Sequence, residues 1–205
     1  MVSAAPLPPF AAIVVAAGKG LRVGGDTPKQ FREWRGKPLI RHSVEALRAA
    51  GADPLVVVNA ADAQDYAEAA LAGISGVTFV AGGATRQDSV RCGLEALAAA
   101  EPKSVLIHDA ARPDLLRAVI ERLLTALSEH PGAIPVLPVV DSLAVDNGGV
   151  MSGKAEREAL RRVQTPQAFR FDAILDLRQN ERTENGCERI YPPDAVTGGG
   201  IFAQR

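Results

Sequence analysis

Short apolar runs alternate with amphipathic stretches along the chain, from about residue 10 to residue 138. The apolar runs are rich in β-branched residues and end at glycine or at polar residues, which is typical of buried strands. The pattern predicts strands at 10–16, 55–58, 77–80, 105–107 and 133–138.

The stretches between these runs carry apolar residues at the spacing of a helix. The predicted helices run from Pro38 to Gly51, over about 62–72, from Asp88 or Ser89, from an N-cap at Asp114, and from about Asp172. Strands that alternate with helices favour an α/β fold, with a Rossmann-like, mostly parallel sheet and helices on both faces. In such sheets, ligands bind at the carboxyl ends of the strands.

The alternation breaks at residues 139–163. Apolar residues before and after Asp146-Asn147-Gly148-Gly149 predict a β-hairpin with Asn-Gly as its turn. Because an isolated two-stranded hairpin is marginally stable in water, this arm, residues 139–160, needs something to pack against, and a second subunit is the natural candidate. Hydrophobic periodicity fades after Leu177, so residues 176–205 are expected to be an atypical, poorly ordered segment.

Composition narrows the choice of function. The chain has 205 residues, is 47% apolar and carries a net charge of -1, which fits one domain at 10–175 and argues against nucleic-acid binding. Its apolar runs fall short of the roughly 20 residues that a membrane span needs. Cys92 and Cys187 are far apart, which predicts neither a disulfide framework nor a zinc cluster and favours a cytoplasmic location.

Candidate chemistry begins directly after the first predicted strand, in residues 16–22. Glycines there let backbone N–H groups approach an anion, because no Cβ stands in the way. Lys19, Arg22 and Lys29 can then neutralise phosphate charge. A plain tight turn is the alternative explanation for the two glycines taken alone.

A second cluster, residues 108–113, follows the fourth predicted strand. Asp109 at a strand's carboxyl end, opposite a phosphate loop, suits Mg²⁺, which takes few protein carboxylates and fills its other positions with phosphate and water. The alternatives for Asp109 are an ion pair with Arg112 or a helix cap. We interpret His108 as a packing or hydrogen-bonded residue rather than a metal ligand.

A third cluster, residues 82–90, follows the third predicted strand. Its backbone groups and the Ser89 hydroxyl can read a base or a sugar. Arg86 has a structural alternative, in which it pairs with Asp88 or a loop carbonyl. Neither a Ser–His–Asp arrangement nor a catalytic cysteine stands out, so the predicted chemistry is electrostatic rather than covalent.

Together with Gln164-Thr165-Pro166-Gln167 and Phe169, these motifs resemble those of sugar-nucleotide-type nucleotidyltransferases. The combination is specifically similar to the 2-C-methyl-D-erythritol 4-phosphate cytidylyltransferase family of the non-mevalonate isoprenoid pathway, over about residues 10–175. The resemblance implies transfer of CMP from CTP to methylerythritol phosphate, release of pyrophosphate and use of Mg²⁺. It also implies a homodimer in which the arm reaches across to the partner.

The resemblance also implies roles for individual residues. CTP would be bound by six of them: Ala16, Ala17, Gly18, Gly83, Ser89 and, through the metal, Asp109. Arg22 and Lys29 would stabilise the triphosphate charge in the transition state. Asp109 would hold Mg²⁺ and position the substrates. The methylerythritol phosphate would be contacted by Arg112, Ser142 and Arg157, the last two serving the partner's site.

The chain departs from the family pattern at three places. Arg161 replaces a usual aromatic residue, and Ser142 replaces a usual threonine while keeping the hydroxyl. Segments of the Thr-Asp-Asp and Lys-Ile-Thr types, which help to bind the alcohol phosphate in the family, are not recognisable in 176–205. We therefore expect the natural C-terminus to be missing, truncated or frameshifted, in a family that also includes fusions with a second pathway enzyme.

Two other functions remain compatible with these residues. One is a cytidylyltransferase for another polyol phosphate, such as ribitol 5-phosphate. The other is a catalytically impaired nucleotide-binding dimer, which would bind CTP and Mg²⁺ without releasing pyrophosphate.

Overall fold

A computed structural model describes residues 6–18 and 27–180, apart from the side chains of Lys154 and 176–180. The prediction of poor order for the C-terminal segment mostly concerns residues 181–205, which lie outside this described part. The helices are α1 (Leu39–Ala49), α2 (Gln64–Ala70), α3 (Arg86–Leu97), α4 (Arg117–Ala126) and α5 (Phe171–Asn180).

Strands in the described part form one large sheet and three two-stranded ladders. The large sheet contains β1 (Phe10–Ala16), β4 (Ala52–Asn59), β5 (Val77–Ala81), β6 (Ser104–Asp109), β7 (Gly132–Ala133) and β12 (Gln167–Arg170). The ladders contain β2 (Glu33–Trp34), β3 (Lys37–Pro38), β8 (Val136–Pro138), β9 (Ala144–Asn147), β10 (Val150–Lys154) and β11 (Arg161–Val163).

The large sheet has the order β5-β4-β1-β6-β12-β7, with β5, β4, β1 and β6 all parallel. The chain builds from β1 outward through β4 and β5, and then crosses to β6 on the other side of β1. This reversal creates a crevice beyond the carboxyl ends of β1 and β6, where ligands bind in such folds. The predicted mostly parallel α/β sheet is confirmed.

Apolar side chains fill both faces of this sheet, because successive residues of a strand point to opposite sides. On β1, Ala12 and Val14 pack with α1, α2 and α4, whereas Ala11 and Ile13 pack with α3 and α5. The central strands therefore read as continuous apolar runs in the sequence. Among the described helices, none combines the length and the apolar character needed to cross a membrane.

The predicted fifth strand, 133–138, is wrong. It divides into β7, which pairs with β12, and β8, which pairs antiparallel with β11 in a separate ladder. Pro135 and Pro138 explain the division, since proline has no N–H to donate to a central ladder. The place beside β6 is taken instead by β12, which runs antiparallel to it.

Two predicted helix starts also need correction. Helix α3 begins at Arg86, before the predicted Asp88 or Ser89, because Thr85 and Asp88 form a capping box. Helix α4 begins at Arg117, and Asp114 is not its N-cap. The Leu115 N–H bonds to the Pro113 carbonyl at 3.1 Å, so a tight turn occupies this segment before the helix starts.

The predicted arm contains an antiparallel hairpin formed by β9 and β10. Its turn lies one residue later than predicted: Asn147 pairs with Val150, and Gly148 and Gly149 form the two-residue loop. Both glycines have positive φ, +63° and +87°, which this kind of turn requires of both central residues. Val150 and Met151 are 67% and 73% exposed, so the hairpin has an uncovered apolar surface in the single chain.

Candidate active site

The three clusters predicted from the sequence follow adjoining strands of the sheet. Val15 lies opposite Asp109 in the β1–β6 ladder, and Ala16 lies opposite Asn59 at the end of β4. Asn59 in turn pairs with Ala81, just before the glycines that follow β5. The loop after β1, the Gly82–Gly83 pair and Asp109 therefore meet at one edge of the sheet.

Gln30 fixes the start of the loop after β1. Its buried side-chain amide donates to the carbonyl of Ala16 at 2.6 Å and to that of Gly18 at 3.1 Å. Lys29 is the exposed neighbour of Gln30 on a 3₁₀ turn, and is thereby attached to this loop. Among the described residues, no atom lies within 4 Å of a Cβ built on Gly18.

The Gly82–Gly83 pair packs directly against the loop after β1. A Cβ on Gly82 would lie 2.6 Å from the Ala17 Cβ and 2.8 Å from Ser89 Oγ, so only glycine fits there. A Cβ on Gly83 would overlap Asp88. The buried Ser89 hydroxyl donates to the Thr85 carbonyl at 3.0 Å. With its proton committed to the first turn of α3, this hydroxyl can contact a ligand only as an acceptor.

Two guanidinium groups hold the Asp109 carboxylate. Oδ1 accepts from Nε and Nη2 of Arg86 at 3.1 and 3.0 Å, and Oδ2 accepts from Nε of Arg112 at 3.2 Å. The alternative Asp109–Arg112 ion pair is thus present. Arg86 also forms an ion pair, as in its structural alternative, but with Asp109 rather than with Asp88 or a loop carbonyl. Asp88 is committed instead to the cap of α3, through the main-chain N–H of Thr85.

This carboxylate suits a Mg²⁺ ion that takes most of its ligands from phosphate. Three guanidinium hydrogens occupy three of the roughly four lone-pair positions of Asp109, which leaves room for a metal bond. The side chain is 31% exposed, so an ion can reach it. In the described part of the chain, no group of three or more His, Cys, Asp and Glu side chains forms a metal cluster.

His108 precedes Asp109 on β6 and is almost completely buried. Its Nε2 lies 3.0 Å from the Arg112 carbonyl, and its Nδ1 lies 3.1 Å from Thr165 Oγ1. Burial lowers the pKa of His108 from 6.5 to about 4, although the bond to the Arg112 carbonyl and the charge of Asp109 both oppose the shift. His108 is therefore a neutral, hydrogen-bonded residue at pH 7.

His108 makes folding stability depend on pH between about 6.5 and 4. In this range the unfolded chain takes up a proton at His108 that the native chain does not, so stability falls as the pH falls. The full effect is about 3 kcal/mol, reached near pH 4. Urea unfolding of the wild type and of His108→Gln at pH 7 and pH 4.5 measures it.

The wild type should lose much more stability than His108→Gln over this range. Glu45 and Asp172 also have lowered pKa values, through hydrogen bonds from Lys37 and from the Ala173 N–H respectively, but carboxylates of this kind lose stability only at lower pH. An equal pH dependence in both proteins would contradict the assignment to His108.

The single chain does not unite all of the predicted substrate residues. Arg22 lies outside the described residues, and Ser142 is exposed in the loop before β9. Arg157 is exposed on a 3₁₀ turn and lines a cavity of about 520 Å³, together with Val136, Pro138, Val139, Val140, Glu158 and Arg161. Arg112 lines a different cavity, of about 270 Å³, with His108, Leu116, Gln164 and Thr165 among its neighbours.

Sequence comparison identifies the family. The family model "IspD: 2-C-methyl-D-erythritol 4-phosphate cytidylyltransferase" matches residues 10–190. The chain belongs to this family. The resemblance inferred from the motifs is thereby confirmed, and with it membership of a family of nucleotidyltransferases.

Named relatives fall into two groups. A bifunctional enzyme IspD/IspF from Erythrobacter litoralis is 65% identical over 175 residues, which are 85% of this chain and 45% of the relative. A 2-C-methyl-D-erythritol 4-phosphate cytidylyltransferase from Cereibacter sphaeroides is 49% identical over 168 residues, 80% of this chain and 74% of the relative. The chain thus spans about half the length of the bifunctional relatives that it matches.

Solved structures agree with the family. The 2-C-methyl-D-erythritol 4-phosphate cytidylyltransferase from Thermus thermophilus superposes with a TM-score of 0.71 at 32% identity, covering 89% of this chain and 81% of that one. The bifunctional IspDF from Campylobacter jejuni gives 0.74 at 22% identity, covering 96% of this chain and 50% of that one, and supports the fold alone.

Proposed function

We propose that this chain transfers CMP from CTP to 2-C-methyl-D-erythritol 4-phosphate, giving 4-diphosphocytidyl-2-C-methylerythritol and pyrophosphate for isoprenoid precursor synthesis. The observation that carries the proposal is the meeting of the loop after β1, the Gly82–Gly83 pair and the Arg86–Asp109–Arg112 cluster at one crevice. The description of the family, 2-C-methyl-D-erythritol 4-phosphate cytidylyltransferase, supports the choice of these two substrates.

The reaction joins two anions. A phosphate oxygen of the alcohol phosphate bonds to the α-phosphorus of CTP, and the bond from that phosphorus to the bridging oxygen breaks, so pyrophosphate leaves with the electron pair. The attacking phosphate is already ionised near pH 7, so no strong general base is needed. What the protein must supply is positive charge and in-line positioning.

The nucleotide half of the site comprises the loop after β1 and the loop after β5. Backbone amides of Ala16, Ala17, Gly18 and Gly83 would cradle CTP, with the Ser89 hydroxyl as an acceptor. Lys29, attached to this loop through Gln30, and Arg22 would neutralise the charge that builds on the departing pyrophosphate.

The second half of the site is the end of β6. Asp109 would hold Mg²⁺, and a bound Mg²⁺ would offset the negative charge of the phosphates. Arg112 would contact the alcohol phosphate, and its hydrogen bond to Gln164 Oε1 at 2.6 Å holds its guanidinium in place. Arg86 would keep the Asp109 carboxylate oriented from the other side.

The arm would complete the site in a homodimer. Val150 and Met151 expose apolar surface on the hairpin, and neither of the exposed residues Ser142 and Arg157 lines the Arg112 cavity. A second copy that covers the hairpin would remove this apolar surface from water. Ser142 and Arg157 of one subunit would then contact the alcohol phosphate held by the other.

Mixed dimers test this exchange of residues. Lys29→Ala and Arg157→Ala chains are each expected to be nearly inactive as homodimers. When they are denatured together and refolded, one of the two sites in each mixed dimer combines an intact Lys29 with an intact Arg157 from the other chain, so activity should return. If Arg157 acts within its own chain, mixing will restore no activity.

Nucleotide selectivity tests the reaction itself. The protein is incubated with Mg²⁺, methylerythritol phosphate and each of CTP, UTP, ATP and GTP in turn, and pyrophosphate is measured. Release with CTP far above the other three is the expected result. Equal release from all four, or from a purine nucleotide alone, would overturn the proposal. A cytoplasmic location and the lack of nucleic-acid or membrane partners remain predictions from the sequence.

A further inference from the structure

Two buried polar side chains, Ser43 and His108, form hydrogen bonds with the backbone of the 109–112 loop. Ser43 is fully buried on α1, among apolar residues that pack on the sheet, and His108 is 1% exposed near the end of β6. Burying polar groups costs free energy unless they form hydrogen bonds, and apolar residues would serve the core equally well. We therefore look for a role of Ser43 and His108 other than packing.

Both side chains bond to carbonyls of this one loop. The Arg112 carbonyl lies 3.0 Å from His108 Nε2 and 3.3 Å from Ser43 Oγ. Ser43 Oγ also lies 3.3 Å from the Ala110 carbonyl. The loop carries Asp109 at its first position and Arg112 at its last, so these contacts fix the backbone beneath both functional side chains.

Thr165, in the loop between β11 and β12, extends this arrangement. A carbonyl can only accept, so Nε2 of His108 must carry the proton and Nδ1 must accept. The Thr165 hydroxyl therefore donates to Nδ1 at 3.1 Å, while its oxygen accepts from the Asp109 N–H at 3.2 Å. The directions of these bonds are mutually consistent, and they join the loop after β11 to the 109–112 loop.

We propose that Ser43 and His108 are positioning residues, which hold the Arg112 carbonyl so that the Arg112 side chain meets the alcohol phosphate. This inference rests on the proposed function. Both act through the backbone of the 109–112 loop, because their hydrogen bonds go to its carbonyls.

A pair of substitutions at position 108 separates positioning from packing. In His108→Gln the amide nitrogen can reach the place of Nε2 and keep the bond to the Arg112 carbonyl. In His108→Asn the shorter side chain reaches only the place of Nδ1. We expect His108→Asn to raise the KM for methylerythritol phosphate about tenfold, the effect of one lost hydrogen bond, and the KM for CTP by much less.

His108→Gln should recover most of this loss, and Ser43→Ala should shift the same KM in the same direction. His42→Asn is the matched control, because His42 Nε2 also bonds to a carbonyl, that of Trp34 at 2.7 Å, but in the β2–β3 hairpin. A lowered kcat with unchanged KM values in His108→Asn, or equal losses in the Asn and Gln variants, would overturn the proposal. So would the same KM shift in His42→Asn.

The outcome is distinguishable from failure of the proposed function. If the wild type releases no pyrophosphate with CTP and methylerythritol phosphate, the proposed function fails. The tautomer of His108 is then measured in the intact protein, without substrate, from its imidazole ¹⁵N resonances. A protonated Nε2 and an unprotonated Nδ1 support it, and the opposite tautomer overturns it.

Discussion

Lys29→Ala is expected to lower kcat by at least about 100-fold, the loss typical of removing one preorganised charge stabiliser. Lys29 is exposed, so the substitution leaves the core untouched. Its neighbour Gln30 is tied to the carbonyls of Ala16 and Gly18, so the turn keeps its place beside the loop after β1. The ammonium charge is therefore what the variant removes. Steady-state pyrophosphate release measures the effect.

Lys37→Ala is the matched control for this experiment. Lys37 is also an exposed lysine near the start of the chain, but it pairs with Glu45 at 2.8 Å on the outer surface. A surface pair of this kind contributes about 1 kcal/mol or less to stability, so turnover should stay near wild type. Near-wild-type turnover in Lys29→Ala as well would contradict the role assigned to Lys29.

Asp109→Asn is expected to lower kcat/KM by about 1,000-fold, the upper end of the range for losing one charge-stabilising group. The substitution replaces the carboxylate that is proposed to bind Mg²⁺ by a neutral amide. It also leaves the guanidinium groups of Arg86 and Arg112 without the anion that orients them. The loss of the metal ligand and the loss of the anion that orients the two guanidinium groups both lower kcat/KM.

Metal binding can be measured separately from the orientation of the two guanidinium groups. Binding of Mn²⁺ in the presence of CTP, followed by electron paramagnetic resonance, should weaken in Asp109→Asn. Asp172→Asn, which breaks a surface pair with Arg170 at 3.1 Å, is the control. Arg170 pairs with Ser104 at the amino end of β6, so Asp172 lies at the opposite edge of the sheet from Asp109. Equal Mn²⁺ binding in both variants would contradict metal binding by Asp109.

The sequence predicted the parallel half of the sheet because strands buried on both faces are continuous apolar runs. The strand β12 lacks such a run: it spans four residues, begins with a buried glutamine, Gln167, and ends with an exposed arginine, Arg170. Nothing in its pattern indicates that it pairs beside β6. The division of 133–138 follows from its prolines, which the apolar pattern alone does not take into account.

Within the site, the sequence motifs predicted that the loop after β1, the Gly82–Gly83 pair and Asp109 meet, but not which hydrogen bonds their side chains form. The glycine pair and Asp109 follow strand ends, so their convergence follows from the topology. The Arg86–Asp109 pair depends on α3 beginning at Arg86, two residues earlier than the apolar spacing indicates. No sequence motif indicates the role of Ser43, because the carbonyls that it contacts are 67 and 69 residues away in the sequence.

The central claim is that the acceptor is methylerythritol phosphate. The most direct measurement is ³¹P NMR of the protein with CTP and Mg²⁺, together with methylerythritol phosphate, with ribitol 5-phosphate, or with neither. We predict new diphosphate resonances of a nucleotide-linked alcohol, and pyrophosphate, with methylerythritol phosphate alone. Product formed preferentially from ribitol 5-phosphate, or CTP binding without product from either alcohol, would contradict the account.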